Sequence, residues 1–146
     1  MRTEQPQTIY LKDYRQPDYW IDETHLTFEL FEDHALVHSR LFIRRNGDAG
    51  LVPLVLDGQQ LELVSVALGD QTLAPTDYQA DEHSLTLHPQ AAEFELAITT
   101  RIEPQNNTAL EGLYKSGGMF CTQCEAEGFR KITYYLDRPD VMSRFT

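Results

Sequence analysis

Three groups of residues in this chain have types and spacings that could do chemistry. Cys121 and Cys124 stand in a C-x-x-C arrangement, His34 and His38 stand four apart, and Gln123, Glu125 and Glu127 interleave with the cysteines. A redox cysteine pair needs a strand-to-helix context that lowers one thiol pKa, and a structural zinc needs four ligands. Neither context surrounds Cys121 and Cys124, so a structural role is expected for them. The histidine pair has the spacing of zinc ligands on a helix, but Ala35 occupies the place where a metallopeptidase needs its glutamate. His34 and His38 are therefore expected to be surface residues, like His25, His83 and His88. If residues 121–127 are extended, Cys121, Gln123, Glu125 and Glu127 share one face, because side chains repeat every second residue along a strand. An amide beside a carboxylate can grip an ammonium group and a neighbouring carbonyl. A solvated acidic edge has the same pattern. No Ser/His/Asp order, glycine-rich phosphate loop or basic aromatic patch accompanies these groups.

The elements that must position them are strands. From Thr24 the apolar period is two, with Leu26, Phe28 and Leu30 on one side and His25, Thr27 and Glu29 on the other. Glu32 to His34 reads as a turn, and Val37 to Ile43 continues the alternation to Asn46-Gly47-Asp48, a favoured hairpin sequence. Strands follow at 51–56, where Pro53 marks an edge or bulge, and at 61–68, with short segments near 72–73 and 84–88. Phe94 to Ile102 is the cleanest strand, ended by Pro104. Some seven short strands without a helical period predict an all-β fold, an antiparallel β-sandwich or related two-layer sheet. At most one short helical turn is expected, over 139–144, where Asp137-Arg138-Pro139 offers a cap and a first-turn proline. Residues 1–20, with Pro6, Pro17, Tyr10, Tyr14, Tyr19 and Trp20, read as an extended arm. Arg144-Phe145-Thr146 reads as the start of another strand, so the chain is expected to be cut from a longer polypeptide.

At 146 residues the chain suits one domain, 1–146, able to bury roughly 68–70% of its unfolded surface. Its 41% hydrophobic and 24% charged residues are those of a soluble globular protein. Twelve basic against 23 acidic residues give a net charge of −11, which repels phosphate backbones and argues against a nucleic-acid partner. No apolar run is long enough to span a membrane, and the N-terminus lacks the apolar core of a signal peptide. With two cysteines that make no disulfide framework, a cytoplasmic setting is expected.

Three long words carry a family resemblance: Asn107-Thr-Ala-Leu-Glu-Gly-Leu-Tyr114, Cys121-Thr-Gln-Cys-Glu-Ala-Glu-Gly-Phe-Arg130 and Thr133-Tyr-Tyr-Leu-Asp-Arg-Pro-Asp140. With Asp13-Tyr-Arg-Gln-Pro-Asp-Tyr19 and Leu26-Thr-Phe28, they resemble the bacterial aminopeptidase N family of zinc (gluzincin) aminopeptidases. The similarity is strongest over residues 106–146 and weak between about 32 and 104. It implies a β-rich, saddle-like N-terminal domain, with 107–140 facing an active site that the next domain completes. In such enzymes zinc polarises a water that attacks the first peptide bond, with a glutamate as general base. The resemblance gives Glu125 the substrate's α-ammonium and Gln123 part of the first side-chain pocket. Partners are then peptides with a free N-terminus and the remaining domains of the same polypeptide. The His-Glu-x-x-His motif, its downstream glutamate, the Gly-x-Met-Glu-Asn loop and the oxyanion tyrosine are absent from this sequence. The chain alone is therefore expected to bind no metal and to be inactive, with zinc held by the full-length parent. The alternative is a stand-alone β-sandwich binding or interaction module.

Overall fold

The computed structural model describes residues 8–47 and 49–146. Its strands in chain order are β1 (Tyr19–Leu30), β2 (Ala35–Arg45), β3 (Leu54–Asp57), β4 (Glu62–Leu68), β5 (Gln71–Thr72), β6 (Gln79–Ala80), β7 (Ser84–Leu87), β8 (Glu93–Ile102), β9 (Gly112–Ser116), β10 (Met119–Gln123) and β11 (Arg144–Phe145). They form a six-stranded sheet in the order β11-β1-β2-β8-β4-β5, a three-stranded sheet β3-β7-β6, and the β9-β10 hairpin. This is the all-β class that the alternation predicts.

The alternation is strictest on β2, where Ala35, Val37, Ser39, Leu41 and Ile43 are all buried and the residues between them are not. Of these, Leu41 and Ile43 fill the space between the two larger sheets. Tyr19 and Ile21 of β1, Leu96 and Ile98 of β8 and Val66 of β4 meet Leu54 and Leu56 of β3 and Leu85 and Leu87 of β7. Each fully buried aliphatic side chain contributes roughly 1.5–3 kcal/mol, so this layer dominates the stability. β1 keeps facing inward past a bulge between Ile21 and Glu23, which puts both Ile21 and Thr24 in the core.

The C-terminal segment closes the sandwich. Tyr134, Tyr135, Leu136 and Val141 join the same core, and Tyr135 forms a bridge to Asp57 through two backbone hydrogen bonds of 2.7 and 3.0 Å. Gly58 makes room for this: a Cβ there would lie 2.2 Å from the Tyr134 ring. A second apolar cluster forms where Ala35, Val37 and Ile102 meet Leu113 and Ile132, with Leu26, Cys124 and Phe129 against it. It seats the β9-β10 hairpin on the large sheet.

Several local expectations change. Residues 139–144 form no helical turn; Pro139 and Asp140 make a plain turn, and Arg144–Phe145 runs parallel to β1, the one parallel pairing among the described strands. The burial of Val141 and the bonds between Thr146 and the backbone of Thr24 and Leu26 hold the segment extended. The helical turns present are short 3-10 turns at Leu11–Asp13, Pro104–Asn106 and Phe129–Lys131. Asn46-Gly47 closes no hairpin, because β2 pairs with β1 and β8 rather than with β3. Asn46 instead donates to the carbonyls of Pro17 and Asp18. Asp48 and residues 1–7 of the expected arm, Pro6 included, lie outside the described residues. Within the rest of the arm, Tyr14 donates to Asp140 at 2.9 Å and Tyr19 already belongs to β1 and the core. Pro53 precedes β3, which is an edge strand of its sheet.

Candidate functional site

β10 ends at Gln123, opposite Gly112 of β9. The chain does not continue as a strand. Residues 124–128 turn back sharply, closed by the Gly128 N–H on the Cys124 carbonyl at 2.9 Å, and enter the 3-10 turn at Phe129–Lys131. The Glu125–Ala126 peptide is cis, and Glu127 has a φ of 61°. Gly128 is buried in the turn, where a Cβ would sit 2.6 Å from the Gln123 carbonyl oxygen. Only Cys121 and Gln123 therefore keep the shared strand face expected for four residues. Glu125 and Glu127 leave it because the backbone folds.

Folding the chain still keeps Gln123 and Glu125 together. The Glu125 N–H donates to the Gln123 side-chain oxygen at 3.3 Å, and both residues are exposed. The pair stands on the surface, with the Gln123 amide held against the Glu125 backbone. Neither residue lines either of two clefts on the surface. One of these is lined by Gln60, Glu62, Arg101, Asn107 and Lys131, the other by Tyr19, Asp57, Glu127, Arg130, Asp137 and Arg138.

Beneath the turn lies a charge network that sequence reasoning did not find. Arg130 donates through Nε to Asp137 at 3.0 Å and through Nη2 to the Asp137 carbonyl at 3.2 Å. Its backbone N–H also donates to the Asp137 carboxylate, and its carbonyl accepts the Gln59 N–H at 2.8 Å. Glu127 and Asp57 approach the same guanidinium at 3.7 and 4.0 Å, and Asp57 accepts the Asp137 N–H. Burial pushes the Asp57 carboxyl above its ordinary range, with Arg130 pulling the other way. Arg130 and Asp137 were visible as polar members of the C-terminal words. Asp57, 80 residues before Asp137, gave no signal because only the Tyr135 bridge brings it there. On the other flank, Lys131 pairs with Glu111 at 2.9 Å, and the Asn107 side chain donates to the carbonyls of Glu111 and Leu113.

The eye-catching groups take other roles. Cys121 and Cys124 are free; Cys124 is half-buried against the second apolar cluster, and burial, with Asp137 nearby, pushes its thiol up. A redox thiol needs the opposite shift. His34 stacks on Phe31 at 4.5 Å beside Asp33, and His38 bonds to Thr99 at 3.1 Å. Among the described residues, no group of three or more His, Cys, Asp or Glu side chains is placed to hold a metal ion, and no helix is long and apolar enough to cross a membrane.

These features define a class: a two-layer β domain that presents an exposed amide–carboxylate turn and lacks, among its described residues, a metal centre. The Peptidase M1 N-terminal domain profile matches residues 17–146. Aminopeptidase N of Caulobacter vibrioides is 47% identical over 146 residues, which are 100% of this chain and 17% of that protein. Aminopeptidase N of Escherichia coli is 49% identical over 144 residues, 99% of this chain and 16% of that protein. The structure of Legionella pneumophila aminopeptidase A in complex with aspartic acid superposes with a TM-score of 0.84 at 32% identity, covering 92% of this chain and 16% of that one. A Deinococcus radiodurans M1 zinc metallopeptidase shares the fold, with a TM-score of 0.70 at 16% identity over 89% of this chain and 32% of its own. The chain belongs to the Peptidase M1 N-terminal domain family. It spans about a sixth of the length of the curated relatives it matches.

Proposed function

We propose that residues 1–146 are the N-terminal substrate-recognition domain of a zinc aminopeptidase that releases N-terminal amino acids from peptides in the cytoplasm. In this reading Glu125 anchors the substrate's free α-ammonium and Gln123 lines part of the first side-chain pocket. The observation that carries it is the Gln123–Glu125 pair, exposed and adjacent on a turn that packed elements flank on both sides. The family and the aminopeptidase relatives supply the reaction class. In this reading zinc is held by the remaining domains of the same polypeptide and this chain contributes recognition; among the described residues no group of three or more His, Cys, Asp or Glu side chains is placed to hold the metal.

A carboxylate at this place favours a free amino terminus over an internal peptide bond. An exopeptidase needs that discrimination. Truncating one half of a desolvated charge pair costs about 2–5 kcal/mol, so Glu125→Gln in the full-length enzyme is expected to lower kcat/KM at least about 30-fold. Zinc content, read by elemental analysis, should stay at the wild-type level. Unchanged kinetics with aminoacyl-nitroanilides would remove Glu125 from the site.

A further inference from the structure

We infer that Arg130 is the positioning residue for Glu125, acting through the turn rather than on the substrate. The inference rests on the reading of Glu125 as the ammonium anchor. Residues 124–128 are held at both ends. On one side, Gln123 is fixed by its pairing with Gly112. On the other stands Arg130, whose guanidinium and backbone N–H hold Asp137 while its carbonyl takes the Gln59 N–H. The same guanidinium reaches back to Glu127 inside the turn and across to Asp57 at the end of β3.

Glu125 itself is exposed, and its backbone N–H donates to the Gln123 side chain. Where its carboxylate stands in space is therefore set by how the turn is pinned at residues 127–130. Phe129, packed edge-on against Tyr135 and Phe145, and Arg130 together pin this end, and Arg130 is the polar group of the two, reaching both β3 and the 134–137 segment. Its planar fork fixes direction as well as distance, which a lysine ammonium does not. A displacement of about 1 Å in a binding group can cost as much as 10²-fold in rate, so a loosened turn is felt at the substrate.

The test is a double-mutant cycle in the full-length zinc-loaded enzyme, with kcat/KM for an aminoacyl-nitroanilide as readout. Arg130→Lys keeps a positive charge among Asp57, Glu127 and Asp137 and so protects folding, while Arg130→Met with Asp57→Asn and Asp137→Asn removes the guanidinium without stranding a buried carboxylate. Each is expected to lower kcat/KM about tenfold in the Glu125 background and to have no further effect in the Glu125→Gln background. A merely structural role would lower both backgrounds by the same factor, and that result would overturn the inference. So would unchanged kinetics in the Arg130 variants when Glu125→Gln alone is strongly impaired. If Glu125→Gln is itself unimpaired, the anchor reading fails first and the positioning role falls with it.

Discussion

Replacing Gly128 by alanine isolates the packing of the turn from every other property of the site. Gly128 has φ −92° and ψ −15°, a conformation alanine adopts freely, so the backbone itself raises no objection. On that ground alone, alanine would stabilise the chain by about 0.4–1 kcal/mol by restricting the unfolded state. The added Cβ, however, falls 2.6 Å from the Gln123 carbonyl oxygen and 3.0 Å from the Cys124 Cα. Both are backbone atoms of the strand end that the turn folds against, and neither can rotate aside as a side chain would. Overpacking of this kind costs about 1–3 kcal/mol, and with backbone as the obstacle the upper half of that range applies. The net expectation is a loss of about 1–2 kcal/mol, a fall in Tm of about 2–8 °C for a chain of this size. Thermal unfolding of residues 1–146 followed by circular dichroism measures it, with Gly47→Ala as the control, since a Cβ there meets nothing within 4 Å. A Gly128→Ala protein with an unchanged or raised Tm would show that the turn yields at little cost, and the account of how it is held would be wrong.

Further outcomes test other parts of the structure. Burial raises the Asp57 carboxyl, so the folded state binds that proton more tightly than the unfolded state and this residue's contribution falls as pH rises through the window above about 4. Asp57→Asn, which retains an acceptor for the Asp137 N–H, should therefore gain on the wild type in urea unfolding as pH climbs from about 4 to 7; a flat or reversed difference would contradict the burial. Leu41→Ala, fully buried at the centre of β2, should cost about 2–5 kcal/mol, whereas Met142→Ala, 86% exposed, should stay within about 0.5 kcal/mol. In a Cys121→Ser background, Cys124 should react with iodoacetamide more slowly at neutral pH than the same chain in urea, because burial raises its thiol pKa. Equal rates would mean an open, unperturbed thiol.

The sheet was legible in the sequence where one face is buried along its whole length. β2, β7 and β8 lie close to the predicted segments because a one-residue slip would turn their apolar sets to solvent. Local signals misled where a distant partner decided the outcome. Asn46-Gly47 has hairpin chemistry, yet the chain leaves the sheet there because β8 already occupies the far edge of β2. Arg138-Pro139-Asp140 has helix-start chemistry, yet the core claims Val141 two residues further on. At the candidate site, Gln123 and Glu125 were found through the family words, while their adjacency arises from a fold of the backbone that strand alternation does not anticipate. The Asp57–Arg130–Asp137 network was invisible for the simplest reason: its members are brought together only by tertiary structure.

The parallel pairing of β11 with β1 has a consequence for the order of events during synthesis. β1 leaves the ribosome early, but its outer hydrogen-bonding edge is matched by Arg144 and Phe145, about 120 residues later in the chain. Until those residues emerge, a nascent sheet of β1, β2 and β8 carries a free edge on the same strand that holds the exposed Phe28 and Leu30. Such an edge is a template for pairing with another nascent chain. Translation rate up to residues 144–145, and chaperone access to the N-terminal strands before them, should therefore govern how much of this domain reaches its folded form without aggregating.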